Sequence, residues 1–308
     1  MPANIEHSPL TTPPGASHGG RARAGAPRTP PSPLHRRLGA LSRLLGDPSH
    51  TVRAALRAEF AAAGRTGRAA LLEASKADDA RARAHARELL VGIERNEVVQ
   101  RLVRHVVRPH LDLERALFLL GRLDRHDLDT RAYTRALDAM GAEVRRRAER
   151  RATPIERARV LVGYLASELG FEGDAQTYYH PDNVHLHRTI ERKRGLPLTL
   201  TALYLFVGRR AGLRVDALPM PGHVLLRLHG RSRNLIVDPF HACQTRSQQA
   251  LKQHLVRRGK GFDPTWFRPA SDRDLFARQI RNLANGLRIQ GRTREALALS
   301  PILGVMAR

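Results

Sequence analysis

Apolar positions in the first third of the chain recur at helical spacing. Leu38, Leu41, Leu44 and Leu45 share one face, and Asp47-Pro48 interrupts the pattern. Val52, Ala55, Leu56 and Phe60 mark the face of the next helix, which Gly64 ends. The start of that helix, Val52-Arg53, is echoed by Ala82-Arg83 and by Leu113-Glu114, at offsets of 30 and 31 residues. Each follows an Asp-bearing turn (Asp47, Asp78-Asp79, Asp112). Helices recurring in this way suggest a short solenoid in which each pair buries its apolar face against the next. An irregular helical bundle fits the same pattern, and in either case residues 35–152 read as all-helical.

The pattern changes at Thr153-Pro154-Ile155-Glu156, a helix start with a threonine cap, proline in the first turn and glutamate three residues after the cap. Ala158, Leu161, Leu165 and Leu169 form the stripe of this helix, which stops at Gly170. A turn-rich stretch follows from Phe171 to Asn183, with Asn183 as the expected cap of a helix over about 184–193. Leu196-Pro197-Leu198-Thr199-Leu200-Thr201-Ala202-Leu203-Tyr204-Leu205 then predicts a helix apolar nearly all round, hence buried and central, ending at Gly212. From there the period is that of strands. Arg214–Leu218 is a strand, 219–222 a turn, His223–Leu228 a strand, 230–233 a hairpin turn, and Asn234–Asp238 a strand ended by Pro239. In 269–308, Ser271-Asp272-Arg273-Asp274 starts a helix carrying Leu275, Ile280, Leu283 and Leu287, Gly291 breaks it, and Glu295–Leu299 begins another. Four regions result: 1–34, 35–152, 153–268 and 269–308. The fold class is α+β, a buried central helix plus an antiparallel sheet, flanked by all-helical regions.

Composition adjusts this picture at three points. Residues 1–34 hold eight of the nineteen prolines and no apolar periodicity, so they read as a disordered Pro- and Arg-rich tail without a secretory h-region. No apolar run reaches the ~20 residues that span a bilayer, and the expected location is the cytoplasm. The net charge of +24 points first to polyanions. However, 49 of the 53 basic residues are Arg, they interleave with acids along the helices, and no basic run exceeds three residues, as at Arg145–Arg147. Nonspecific polyanion binding is expected, and a dedicated nucleic-acid role is disfavoured. Aromatics at 5% do not supply a base-stacking surface, and the single Cys243 excludes an internal disulfide and a cysteine-based zinc site.

Candidate chemistry sits in the meander. His223 opens one strand and Asp238 closes the next, and an antiparallel hairpin sets such ends side by side. An aspartate beside a histidine fixes its tautomer and stabilises its charged form, as in the second half of a nucleophile–His–Asp triad. The same pair can equally be a hydrogen bond that ties two strands. His180, His185, His187 and His241 are possible imidazole metal ligands. On a helix, positions 185 and 187 point apart, so these histidines read as surface or capping groups, and no metal or cofactor is expected.

Three stretches, Gly195–Tyr204, Met220–Arg227 (Met-Pro-Gly-His-Val-Leu-Leu-Arg) and Ile236–Phe240 (Ile-Val-Asp-Pro-Phe), resemble the SirB-type branch of the transglutaminase-like superfamily. So do Leu169–Gly173, Tyr179–Asn183 and Arg192–Gly195, and the resemblance covers about 155–268. It implies a papain-like fold whose active members use Cys, His and Asp, with the Cys at the start of the central helix where the dipole favours a thiolate. His223 and Asp238 take the His and Asp positions, while the Cys position holds Pro197. Thr199 lies about 200° round the helix from Pro197, Thr201 about one turn deeper, and Cys243 beyond the strand. The expectation is therefore a non-catalytic or cryptic member acting through protein or peptide interaction. HEAT-like helices would precede the core, and a partial tetratricopeptide-like pair would follow it. The alternatives are an amide-bond hydrolase or acyltransferase using His223 and Asp238, and a basic helical-repeat nucleic-acid-binding protein.

Overall fold

The computed structural model describes residues 32–257 and 263–307. The expected tail, 1–34, lies outside the described residues except for its last three. There, Ser32 caps α1 (Pro33–Ser42) and accepts a hydrogen bond from the His35 N–H. Next come α2 (His50–Ala62) and α3 (Gly64–Ala74), joined where Gly64 takes a φ of +55°. Two of the three Asp-bearing turns are helix caps: Asp79 accepts from Arg81 N–H at the start of α4 (Ala80–Val106), and Asp112 from Arg115 N–H at the start of α5 (Leu113–Gly121), whereas the cap position of α2 is Ser49. The unit that begins at Asp79 does not fold into a helix pair. α4 runs unbroken for 27 residues, so the 30- and 31-residue offsets mark helix starts and not equal units.

α4 serves two cores. Its first half (Ala82, Ala86, Leu89, Ile93) completes a cluster with Leu38, Leu45, Leu56, Phe60 and Leu71 from α1–α3 and the α1–α2 turn. Its second half (Val98, Val99, Leu102, Val106) belongs to the main core. α6 (Thr130–Ala148) and α7 (Pro154–Val162) follow, the latter with the expected capping box between Thr153 and Glu156. α7 widens into a π turn over Gly163–Glu168 and ends before Gly170, whose φ is +72°.

The stretch expected to be only turns contains β1 (Glu172–Gly173), which pairs in parallel with β2 (Arg194–Gly195). Between them a 3-10 turn, Pro181–Asn183, leads to α8, which is shorter than expected, Leu186–Arg192. α9 (Pro197–Arg210) is the central helix, and every residue from Pro197 to Gly208 is buried. It packs on α6, α7, α8 and α11 and on the sheet. Its C-terminal end is fixed by Arg210, which makes a bidentate pair with Glu114 of α5 (2.7 and 2.9 Å) and bonds Asp138 of α6 (2.7 Å). A Cβ on Gly141 of α6 would overlap the Arg210 side chain, so only glycine allows this approach.

The antiparallel sheet has the order β3 (Val215–Met220), β4 (His223–Leu228), β5 (Leu235–Asp238), β6 (Gln244–Thr245). β3 continues two residues past the expected strand end, because Met220 pairs with His223. The turn is therefore Pro221-Gly222 alone, with Gly222 at φ +73°. α10 (Gln248–Arg257) lies over the sheet in a third cluster with Leu218, Met220, Leu225 and Ile236. α11 (Asp272–Ile289), α12 (Thr293–Leu297) and α13 (Ser300–Met306) close the main core through Phe276, Ile280, Leu283, Ala296 and Ile302. No described helix is long and apolar enough to cross a membrane.

Because α9 is enclosed on all sides, truncating it leaves a cavity that no neighbour can fill without losing its own packing. Leu203→Ala, at a fully buried site, is expected to cost ~2–5 kcal/mol in urea unfolding. Leu72→Ala on the exposed face of α3 should stay within ~0.5 kcal/mol.

Candidate functional site

The meander sets His223 against Asp238. Leu226 of β4 pairs with Val237 of β5. One step further on, Asp238 is level with Leu225, whose side chain shares a face of β4 with His223. His223 Nε2 donates to Asp238 Oδ1 at 2.8 Å. The His223 side chain is 24% exposed and that of Asp238 4%. The expected juxtaposition is therefore present, with the histidine facing solvent and the aspartate beneath it.

Asp238 does more than orient one ring. It caps the 3-10 turn Pro239–His241, with Oδ1 accepting the Phe240 and His241 N–H groups at 3.2 and 3.3 Å. That turn swings His241 back so that its Nδ1 donates to Asp238 Oδ2 at 2.8 Å. Arg246 Nη2 stands 3.6 Å from the same oxygen. Burial alone would raise the carboxyl's pKa. The hydrogen bond and charge of His223, followed by those of His241, outweigh it and bring the group down to about 2. Ala242 and Cys243 then take left-handed φ values of 46° and 58°, rare for residues with a Cβ, and the Cys243 N–H closes the turn onto Asp238 O at 2.8 Å.

Aromatic packing holds this turn from the other side. Phe240 lies edge-on to His223 (ring centroids 6.1 Å apart) and to Tyr178 (5.7 Å). A Cβ on Gly173 of β1 would overlap the Phe240 ring, so the small parallel sheet is what lets this ring approach. Arg278 of α11 donates twice to Met220 O at 3.0 Å and pins the end of β3 beside His223. Together His223, Asp238 and His241 lie in a cleft of about 790 Å3, whose walls include Met220, Leu225, Leu251, Leu255, Arg246 and Arg257.

Pro197, Thr199, Thr201 and Cys243 do not line this cleft. Pro197 occupies the first turn of α9 and is buried. Thr201 Oγ1 donates to Val224 O at 3.3 Å. Thr199 Oγ1 donates to Asn183 O and accepts from Gln279 Nε2, both at 2.8 Å. Cys243 is buried, which pushes its thiol up to about 11, so it stays protonated at neutral pH.

Two other expectations need correction. Asn183 is not the cap of α8. It is fully buried, donates to Thr177 O at 2.7 Å and accepts from Arg192 Nη1 at 3.0 Å, tying both ends of the segment together. Of the upstream histidines, only His180 caps, accepting from the Asp182 N–H. His185 and His187 are buried, not surface groups. Because His185 precedes the first turn of α8, the two rings do not point apart and their centroids are 5.6 Å apart. His187 Nε2 bonds Asp124 Oδ2 at 3.1 Å, while burial drops the His185 pKa to about 3. His241 joins none of them.

Residues 131–281 match the family model for the transglutaminase-like superfamily, so this segment is a transglutaminase-like domain, and it contains every residue of the site just described. Part of the chain is similar to UPF0162 proteins. It is 29% identical over 180 residues to one from Xylella fastidiosa (strain 9a5c), covering 56% of this chain and 64% of that protein. A shorter match, 30% over 90 residues, is to a UPF0162 protein of Vibrio cholerae, covering 29% of this chain and 33% of that protein. F-box only protein 21 of Mus musculus is 35% identical over 76 residues, 25% of this chain and 12% of its own. The chain thus spans less than two thirds of the length of the curated relatives it matches. No solved structure matches it.

Asp238 makes stability depend on acid. A carboxyl whose folded pKa is depressed contributes stability that is fully present above its unfolded pKa and is lost as pH falls through its folded value. The wild-type chain should therefore lose stability between about pH 4 and about pH 2. In Asp238→Asn this part of the acid limb should be missing from urea midpoints measured against pH. The neutral plateau should fall by ~1.5–3 kcal/mol, the usual worth of hydrogen bonds to a charged group.

Proposed function

We propose that this chain is a non-catalytic or cryptic member of the SirB-type branch of the transglutaminase-like superfamily, a papain-like pseudoenzyme of the cytoplasm that acts by binding protein or peptide. The observation that carries this reading is the composition of the cleft. Among its described lining residues, none bears a hydroxyl or a thiol. The histidine–aspartate half of a triad lies in the cleft, and none of its described lining residues supplies the half that would attack a carbonyl. What remains is a concave, partly apolar site with cationic groups, the general form of a recognition pocket. In this reading 35–152 is a HEAT-like docking region, 153–268 the transglutaminase-like core and 269–308 a tetratricopeptide-like cap.

The second reading, an amide-bond hydrolase or acyltransferase, is favoured by the open face of His223 over a buried Asp238, an arrangement suited to general-base activation of a bound water. Among the described residues, a nucleic-acid role draws support from the concavity lined by Arg146, Arg147, Arg150, Arg151 and Arg159. Glu143 and Glu168 neutralise part of it.

The deciding experiment runs two assays on the full chain. One follows turnover of amide and ester substrates, and the other measures binding of a fluorescent peptide library by anisotropy. Peptide binding weakened at least tenfold by Leu251→Arg, with no turnover above that of His223→Ala, is the expected result. Turnover that disappears in His223→Ala would replace the interaction reading with the hydrolase. Binding that falls steeply with salt and is lost when Arg150, Arg151 and Arg159 become Gln would favour a polyanion partner.

A further inference from the structure

The His–Asp pair leaves one feature of the site unused. A pair that fixes a tautomer needs one imidazole, yet a second imidazole approaches the other oxygen of the same carboxylate. We propose that His223, Asp238 and His241 form a binding site for one divalent transition-metal ion of the zinc, cobalt or ferrous class. This goes beyond the interaction reading and does not depend on it.

Spacing is the first argument. One ligand atom from each residue lies within 4.8 Å of the other two, and each imidazole nitrogen is 2.8 Å from a carboxylate oxygen. Around an ion with bonds of ~2.1 Å, ligands at right angles stand ~3.0 Å apart. The two nitrogen–oxygen distances are already within a few tenths of an ångström of that value. Replacing the hydrogen bonds by an ion requires that each neutral ring change tautomer, its proton passing through solvent from the inner nitrogen to the outer one, Nδ1 of His223 and Nε2 of His241, and that the two rings close in slightly on the ion. Each ring then stays neutral and turns an inner lone pair to the metal.

Rigidity is the second argument. His223 is fixed at the start of β4, where Arg278 holds the facing residue Met220 by its carbonyl. Asp238 is oriented by two backbone N–H donors, the kind of outer support that ligating carboxylates have. His241 is carried on the turn that Asp238 itself caps.

Donor set and access complete the case. Two imidazoles and one carboxylate suit first-row transition metals and not calcium or magnesium. Three protein ligands beside an open cleft leave further positions for water or a ligand, as catalytic and ligand-binding metal sites do and closed structural sites do not. Such an ion would also supply a Lewis acid to a cleft whose described lining bears no hydroxyl or thiol. The opposing charge is Arg246, 3.6 Å from Asp238 Oδ2. Its side chain is 36% exposed and has solvent to move into. The other histidine cluster lacks these features, since His185 and His187 are sealed in the core.

The test uses the full, untagged chain and metal ions alone. Co2+ is titrated while its visible absorption is followed, and Zn2+ is measured by calorimetry. One ion per chain is expected, with visible bands that report nitrogen and oxygen ligation. His241→Asn changes a half-exposed side chain, so the fold should survive, which circular dichroism and thermal melting check. That variant and His223→Asn should each weaken binding at least ~10-fold, the lower end of what even supporting residues cost. His110→Gln, at an exposed position outside the site, should leave affinity unchanged. The proposal is overturned if no saturable band appears, if affinity survives His241→Asn in a folded variant, or if His110→Gln weakens binding as much as the site variants do.

Discussion

The fold depends on the requirement to enclose α9. An amphipathic helix can rest on one partner, but twelve consecutive buried residues from Pro197 to Gly208 need a neighbour in every direction. That need brings together parts of the chain with little else in common: α6 and α7 before it, the meander after it, and α11 from the far end of the sequence. The polar groups of α9 show how tightly the enclosure is drawn. Thr199 is satisfied by backbone from the α8 entry and by Gln279 of α11, Thr201 by the backbone of β4, and Arg210 by acids on α5 and α6. A hydroxyl used to close the core is not available for chemistry, so the packing of this helix and the absence of a nucleophile on it have a common cause.

Asp238 plays the corresponding part for the site. It ends β5, caps the turn that follows, and receives both imidazoles. Its charge is balanced locally by buried and half-buried donors, whereas other acids pair with arginine on the surface, as at Arg53–Glu88 and Arg68–Glu94. Surface pairs of that kind contribute little each. The buried carboxylate with its ring of donors cannot lose one partner so lightly.

Features set by local periodicity were legible in the sequence. The Thr153–Glu156 capping box, the all-round apolar central helix and the hairpin that sets His223 beside Asp238 each follow from residues close together in the chain. Features made by reversal or by distance were not. His241 reaches the carboxylate because a 3-10 turn folds three residues back on themselves. The string Asp-Pro-Phe-His did carry that signal, since an aspartate followed by proline is a common way to start such a turn. The β1–β2 pairing joins two-residue strands too short for any period to show. The burial of His185 and His187 and the recruitment of Asn183 into the core depend on partners far along the chain, such as Asp124, which local pattern cannot name.

α4 gives the molecule a fixed geometry. At 27 residues it is a rod of ~40 Å, with one half sunk in the small cluster made with α1–α3 and the other in the main core. An ion pair from Arg95 near its middle to Glu295 of α12 braces it against the C-terminal helices. Anything seated on α1–α3 is therefore held at a set distance and angle from the rest of the protein. The helix works as a ruler, and the N-terminal helices form a platform whose position relative to the cleft is decided by the number of turns between them.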